Sequence, residues 1–337
     1  MKVLVAGAGG YLGIPLCEEL MKREHQVTPV DRWFFGKFPL TMDGKSRGGA
    51  VCDIRSIDSN QVDGHDAVID LAGLSNDASA AIDENLTTSI NLQGAMRLAT
   101  VAKEAGVKKY IYSSSCSVYG HGERIHLNEM DDCNPLTAYA RSKIGVEGHL
   151  RSLASADFDP IILRNATVFG VAPRMRFDLA VNIMTLRAWR DGLIYVMGGG
   201  HQLRPFIHVQ DVVMAFVMAL ERKEYTNDTF NVGGDDMNLP IDGLAKMIKS
   251  EFQTANIHRI PDDLDRRSYH VSFKKIRDAL GFEPERTILD GIREVRQALV
   301  DGTISGDDPT CYTVQWYKSL MEWDKRLADI RRDGRIL

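Results

Sequence analysis

The chain has 337 residues, 44% of them hydrophobic, and a formal net charge of −5, which is enough length for one large core with a smaller lobe and an ordinary globular composition. Acids and bases are interspersed along it, which argues against a basic face for nucleic acid and against an acidic, solvating tail. Its five cysteines, Cys17, Cys52, Cys116, Cys133 and Cys311, are scattered, odd in number and without CxxC or His/Cys spacing, so neither a disulfide framework nor a metal site is expected and a reducing compartment fits.

The first ten residues, MKVLVAGAGG, enter a strand pattern directly, without a secretory apolar stretch and cleavage site. No apolar run reaches the roughly 18 residues that a membrane-spanning helix requires. A cytoplasmic protein that binds neither membrane nor nucleic acid is the expectation.

From Lys2 to about Lys109, short apolar runs alternate with amphipathic stretches. In order they are Val3–Ala6, a helix to Arg23, Gln26–Val30, Ala67–Leu71, a helix through Met96–Ala105, and Lys109–Ser113. This is the rhythm of βαβ units, and strands that are apolar almost throughout indicate a parallel sheet covered on both faces. A helix around Tyr139–Leu153 and the run Pro160–Leu163 extend the sheet. After Gly170 the rhythm loosens, with Pro173, Gly192, Gly198–Gly200, Pro205 and Pro240 as punctuation. Residues 1–170 are therefore assigned to a nucleotide-binding domain that also carries catalytic residues, and 171–306 mainly to a substrate lobe, some segments of which return to the first core. Residues 307–337 are assigned to a C-terminal amphipathic helix. In that tail Tyr312, Trp316, Leu320, Trp323, Leu327 and Ile330 recur at intervals of three and four, an apolar stripe expected to dock onto the body or a neighbouring subunit.

Gly7-Ala8-Gly9-Gly10-Tyr11-Leu12-Gly13 follows the first strand and opens the first helix. Glycines there let the backbone turn tightly and approach a pyrophosphate, which meets free N–H groups and the positive end of the helix dipole. A glycine-rich turn alone says little. Here a strand precedes it, a helix follows, and the second strand ends on an acid, Asp31. A carboxylate at that position accepts from an adenosine ribose and repels a 2′-phosphate, which favours NAD over NADP. The adjacent Arg32 could instead serve a phosphate. Asp53 and Ile54 are placed to reach the adenine edge, although an Asp at a strand end also forms turns.

Tyr139-Ala140-Arg141-Ser142-Lys143 sets Tyr and Lys four apart on one helix face. A phenol with a reference pKa near 10 is a poor base at neutral pH, and a nearby ammonium lowers that value. The segment Tyr112-Ser113-Ser114-Ser115-Cys116-Ser117-Val118-Tyr119-Gly120 closes a predicted parallel strand. Ligands of open α/β sheets bind beyond the carboxyl ends of the strands, so these hydroxyls are expected in the cofactor crevice.

Together these segments resemble the extended short-chain dehydrogenase/reductases, the NAD-dependent nucleotide-sugar epimerases and dehydratases. The resemblance spans nearly the whole chain: GAGGYLG, Asp31, Asp53-Ile54-Arg55, Val68–Leu71 with Ala72-Gly73, Asn91-Leu92-Gln93-Gly94, SSSCSVYG, YARSK, Leu163–Gly170 and Arg204–Asp211. It implies a Rossmann-type doubly wound parallel sheet with a smaller C-terminal α/β substrate-binding lobe, NAD as cofactor and a homodimer. By the same resemblance Tyr139 is the general base, Lys143 binds the nicotinamide ribose and tunes Tyr139, and Ser115 bonds the reacting oxygen. The cofactor residues would be Gly7, Gly9, Gly10, Tyr11, Leu12, Gly13, Asp31, Arg32, Asp53, Ile54, Leu71, Ala72, Gly73 and Lys143. Ser115, Ser117, Tyr139, Asn165, Thr167, Arg176, Arg204 and Arg267 would meet a nucleotide-diphosphate sugar, with Arg174 a further candidate. A guanidinium fork suits a diphosphate, but Arg267 could equally form a surface ion pair. Asn91 would lie beneath the site or simply satisfy buried backbone. Thr167 stands where relatives often carry an Asn that contacts the substrate phosphate.

Relatives that eliminate water place an Asp-Glu pair after the serine, and decarboxylating relatives a Glu at the second of those positions; here the two are Cys116 and Ser117. Reversible oxidation needs only the phenol base and NAD, so a 4-epimerase working through a 4-keto sugar is the leading expectation. A dehydrogenase or ketoreductase would use the same residues. A non-catalytic NAD-binding regulator is the alternative of another class, in which Tyr or Lys is usually lost.

Overall fold

Alternating side chains of the first strand, Lys2–Ala6, enter two different cores. Val3 and Val5 join one cluster with Ile14, Leu16, Leu20 and Phe216, while Leu4 and Ala6 join another with Leu98, Ala102, Val146 and Leu150. A strand buried on both faces has no polar side to show, which explains its unbroken apolar sequence. In the computed structural model, which describes residues 1–36, 40–42, 45–47, 49–121, 125–222, 227–260, 267–332 and 335, this strand lies in a seven-stranded parallel sheet. The spatial order is Thr229–Val232, Asp159–Asn165, Lys109–Ser115, Ala67–Asp70, Lys2–Ala6, Gln26–Asp31 and Ala50–Val51.

Strand order reverses direction at Lys2–Ala6, which pairs with Gln26–Asp31 on one side and Ala67–Asp70 on the other. The helices that follow these strands leave on opposite faces, and a crevice opens above their carboxyl ends. Helices Gly13–Lys22 and Val209–Glu221 supply one covering layer, Ala95–Glu104 and Ala138–Leu153 the other. The strand Thr229–Val232 pairs with Asp159–Asn165 and so joins the central sheet from far along the chain.

A third cluster joins helices Ala180–Asp191, Ile241–Glu251 and Ile288–Val300 to the strands Leu193–Met197 and Leu203–His208. Leu193–Met197 runs parallel to Asn256–Ile260, and Leu203–His208 lies between Thr167–Phe169 and Asn238–Pro240. The tail forms the helix Thr313–Ile330. Among the described residues no helix is long and apolar enough to cross a membrane, and no cluster of His, Cys, Asp and Glu could hold a metal ion.

Candidate active site

A cleft of about 1170 Å³ runs over the carboxyl ends of the central strands. It is lined at one end by Asp31, Arg32, Asp53 and Ile54, in the middle by Gly7, Gly10, Tyr11, Leu12, Gly13 and Leu71–Gly73, and at the other end by Ser115, Tyr139 and Lys143. Ser117, Asn165, Thr167, Arg174, Arg176, Arg204 and Arg267 line its far wall.

The glycine turn is set by close packing. Gly7 has φ +81°, and a Cβ there would come within 2.8 Å of the Leu71 backbone. A Cβ on Gly13 would meet the Gly7 carbonyl oxygen at 2.2 Å, so the first helix could not approach the strand so closely with any other residue. Gly9 does not line the cleft; its N–H donates to Asp31 Oδ2 at 3.0 Å, and Trp33 N–H donates to Oδ1 at 2.6 Å. The carboxylate is thereby aimed from the end of its strand. Burial pushes the Asp31 carboxyl above its usual range, against the lowering effect of these N–H groups. Arg32 is engaged, donating to Asp53 Oδ2 at 3.0 Å. Arg55 also grips Asp53 and brings its pKa down to about 2. Asp53 thus orders the loop and holds Arg32, and Ile54 is buried beside it. Tyr11 reaches across to the far wall, its hydroxyl donating to the Gly170 carbonyl at 2.5 Å.

At the catalytic end, Thr137 caps the helix Ala138–Leu153 by accepting from Ala140 N–H at 3.1 Å, so Tyr139 and Lys143 occupy its first turns on one face. Ser115 ends the strand Lys109–Ser115 and bonds the Tyr139 hydroxyl, which draws the phenol pKa down. Lys143 donates to the Ser113 carbonyl at 2.6 Å, its ammonium lying 4.7 Å from the Tyr112 ring centroid and 5.5 Å from that of Tyr139. Burial lowers Lys143 to about 8, with Asp70 and Glu147 opposing. The sequence predicts that Lys143 lowers the Tyr139 pKa. Instead burial, followed by the charge of Asp77, pushes the phenol up, and the groups that lower it are Ser115 and Arg176. The Lys143 ammonium is not among the groups that shift the phenol; it is engaged with the Ser113 carbonyl.

Asn91 sits in a π-helical turn, Thr88–Gly94. Its Oδ1 accepts from Leu74 N–H at 2.7 Å and its Nδ2 donates to the Leu74 carbonyl at 3.0 Å. Of its two readings, the backbone-satisfying one describes it; it braces the segment after Gly73.

The far wall is a chain of paired charges. Arg176 pairs with Asp178 Oδ2 at 2.6 Å, and Asn76 donates to the same oxygen at 2.7 Å. Arg267 pairs with Asp77, which also accepts from Thr137. Arg204 donates to the Arg267 carbonyl and lies over the Tyr269 ring. The neighbouring Asp265 and Arg266 lie outside the described residues. Among the described residues, four buried polar atoms on side chains lining the cleft have no hydrogen-bond partner: Ser117 Oγ, Asn165 Oδ1, Arg174 Nε and Gln202 Oε1. Groups so buried require a partner, and a polar ligand is what the cleft is shaped to supply. Sequence reasoning missed Asn76, Asp77 and Asp178, for which no motif exists, and also Tyr317. The last was hidden because the tail's periodicity predicts docking without saying where.

The profile of the NAD dependent epimerase/dehydratase family matches residues 3–233, more than half of the chain. The chain belongs to that family. Among similar proteins, an uncharacterized UDP-glucose epimerase of Bacillus subtilis, YtcB, is 25% identical over 87% of this chain and 96% of its own length. A UDP-N-acetyl-alpha-D-glucosaminuronate decarboxylase of Bacillus cytotoxicus is 25% identical over 95% of this chain and 98% of its own. The UDP-glucuronic acid 4-epimerase of Bacillus cereus, solved in complex with UDP-glucuronic acid and NAD, superposes with a TM-score of 0.79 at 25% identity, covering 89% of this chain and 99% of the other. The relatives thus include both epimerases and a decarboxylase, and family membership establishes an NAD-dependent enzyme without choosing its reaction. The residues fit the cofactor. One groove is lined by the glycine turn, Asp31 at the end of its strand, and Tyr139 with Lys143, an arrangement that suits a dinucleotide.

Proposed function

We propose that this protein is a nucleotide-sugar 4-epimerase that works by transient oxidation at C4. The observation that carries the reading is the state of the carboxylates in the cleft. Elimination requires an acid and a base beyond the phenol, yet Asp31, Asp53, Asp77 and Asp178 are each held by backbone N–H groups or by a cation. Asp324, the remaining carboxylate that the described residues place on the wall, is on the exposed half of the C-terminal helix. Next to Ser115, Cys116 is buried with its thiol donating to the Arg164 carbonyl, and Ser117 offers only a hydroxyl.

In this reading Ser115 orients the sugar hydroxyl and Tyr139 takes its proton, while Lys143 holds the nicotinamide ribose. NAD, when bound, would supply the hydride acceptor and donor that such a cycle needs. Arg204 and Arg267 anchor the diphosphate, so the 4-keto sugar can turn over without leaving, and Tyr139 then gives the proton back. Asn165 and Ser117 have unsatisfied oxygens with which to grip sugar hydroxyls.

The test is to incubate the NAD-loaded protein with a panel of UDP-, dTDP-, GDP- and CDP-sugars. Absorbance of reduced NAD and the configuration of recovered sugar are then followed together. A mixture of C4 epimers without net NADH is expected with at least one substrate. Stoichiometric NADH, or a deoxy-keto product, would replace this reading with a dehydrogenase or a dehydratase.

A further inference from the structure

The helix Thr313–Ile330 does not merely pack on the body; it crosses the cofactor groove. Three contacts fasten its first turns. The fully buried Thr313 hydroxyl accepts from Arg174 Nη2 at 2.9 Å and donates to Asp178 Oδ1 at 3.2 Å. Trp316 Nε1 donates to the Phe34 carbonyl at 2.6 Å, on the loop that leaves Asp31. Tyr317 stands edge-on to Phe34 at 6.0 Å and tilted against Phe35 at 5.3 Å. The same Tyr317 packs on the small cluster of Leu74, Ala80 and catalytic Tyr139. One side chain therefore touches both the adenosine end and the catalytic end of the groove, and it lines the cleft between them.

We infer that the C-terminal helix is part of the cofactor site, Tyr317 and the Arg174 that Thr313 holds forming a roof over bound dinucleotide, so that NAD leaves only when the helix undocks. Arg174 fits this role by its position. Its guanidinium lies 3.6 Å from the Phe35 ring centroid, its Nη2 donates to Thr313, its buried Nε has no partner among the described residues, and the residue lines the groove. Burial pushes the Tyr317 phenol up to about 12, with Arg174 opposing, so the roof offers a neutral hydroxyl donor at working pH. Beyond these turns the helix becomes exposed, with Trp323 at 56%. The grip is thus concentrated in Thr313, Trp316 and Tyr317, and a few side chains can release it. Enclosure has a chemical consequence: a hydride taken from a sugar stays beside it, which a cycle that must return the hydride needs and a net dehydrogenase does not.

The test reads cofactor release and involves no sugar, so it stands or falls separately from the epimerase reading. Protein loaded with NAD is mixed with excess NADH in a stopped-flow instrument and the rise of NADH fluorescence is followed; retention of NAD through gel filtration is measured alongside. Tyr317→Ala and Thr313→Val are each expected to release NAD at least tenfold faster and to lose it on the column. Trp316→Phe, which removes the donor to Phe34 while keeping an aromatic ring, is expected to give a smaller acceleration. Lys318→Ala, on the exposed side of the same helix, is expected to match the parent. Release within twofold of the parent in both Tyr317→Ala and Trp316→Phe, with circular dichroism unchanged, would overturn the inference. Trp316→Phe keeps an aromatic ring at the position and keeps the test decisive if Thr313→Val fails to fold.

Discussion

Beneath the catalytic helix lies a buried ion pair whose loss should be felt through the whole domain. Arg164, 3% exposed, makes a two-pronged contact with the fully buried Glu147, Nε to Oε1 at 3.0 Å and Nη2 to Oε2 at 2.7 Å. Ser114 donates to the same carboxylate at 2.6 Å, and Arg164 Nη1 bonds the Tyr119 hydroxyl at 3.0 Å. Glu147 is one turn beyond Lys143, and Arg164 precedes Asn165 on the adjacent strand, so the pair locks the catalytic helix to the sheet. Against the upward push of burial, Arg164 and Ser114 hold Glu147 below the usual carboxylate range. Arg164→Met strands that carboxylate in a dry interior, which typically costs about 3–5 kcal/mol. Arg151, 2.9 Å from Oε2 and 46% exposed, can offset part of this. The expected loss is therefore about 3 kcal/mol, seen as a fall in Tm of about 4–5 °C. Replacing both partners, Glu147→Leu with Arg164→Met, removes the charge together with its counter-charge and should recover most of the loss. Urea unfolding followed by circular dichroism and tryptophan fluorescence measures both variants. A loss below about 1 kcal/mol for Arg164→Met, or a double variant less stable than the single, would refute the reasoning.

Tyr139→Phe is expected to lower turnover by roughly 10²–10⁴-fold, the usual worth of a positioned acid–base group, while NAD affinity and Tm change little; steady-state rates beside NAD titration test this. Asp31→Asn removes the charge that repels a 2′-phosphate, so the affinity ratio of NAD to NADP should fall by about tenfold or more, in line with a charge-assisted contact of about 1.5–3 kcal/mol; isothermal titration with both dinucleotides decides it. Lys143 gives a pH signature. Its folded pKa, about 8, lies below the ordinary lysine value of 10.5, so between these values the unfolded chain binds more protons and stability rises with pH. Relative to Lys143→Met, the parent should gain Tm as pH climbs from about 8 to 10, and a flat or falling difference would contradict the buried-ammonium picture.

Local pattern was enough to read what local physics decides. The unbroken apolar strands announced a two-faced parallel sheet, since a strand buried on both sides has no polar face. The glycine turn with Asp31, and the four-residue spacing of Tyr139 and Lys143 on a helix, likewise follow from backbone geometry that a short window encodes. The sequence predicts that later segments return to the first core, but not that Thr229–Val232 is the one that pairs beside Asp159–Asn165, nor that Asp77 meets Arg267 and Asn76 meets Asp178, because segments distant along the chain leave no local pattern. The stripe from Tyr312 to Ile330 predicted a helix with one buried side, and periodicity has no means of naming the surface that buries it. Tertiary structure set the first turns of that helix against the cofactor groove and left Trp323 and Ile330 of the stripe exposed. It also set the Lys143 ammonium on the Ser113 carbonyl, because a buried ammonium needs an acceptor, and side-chain spacing alone cannot show where that carbonyl is.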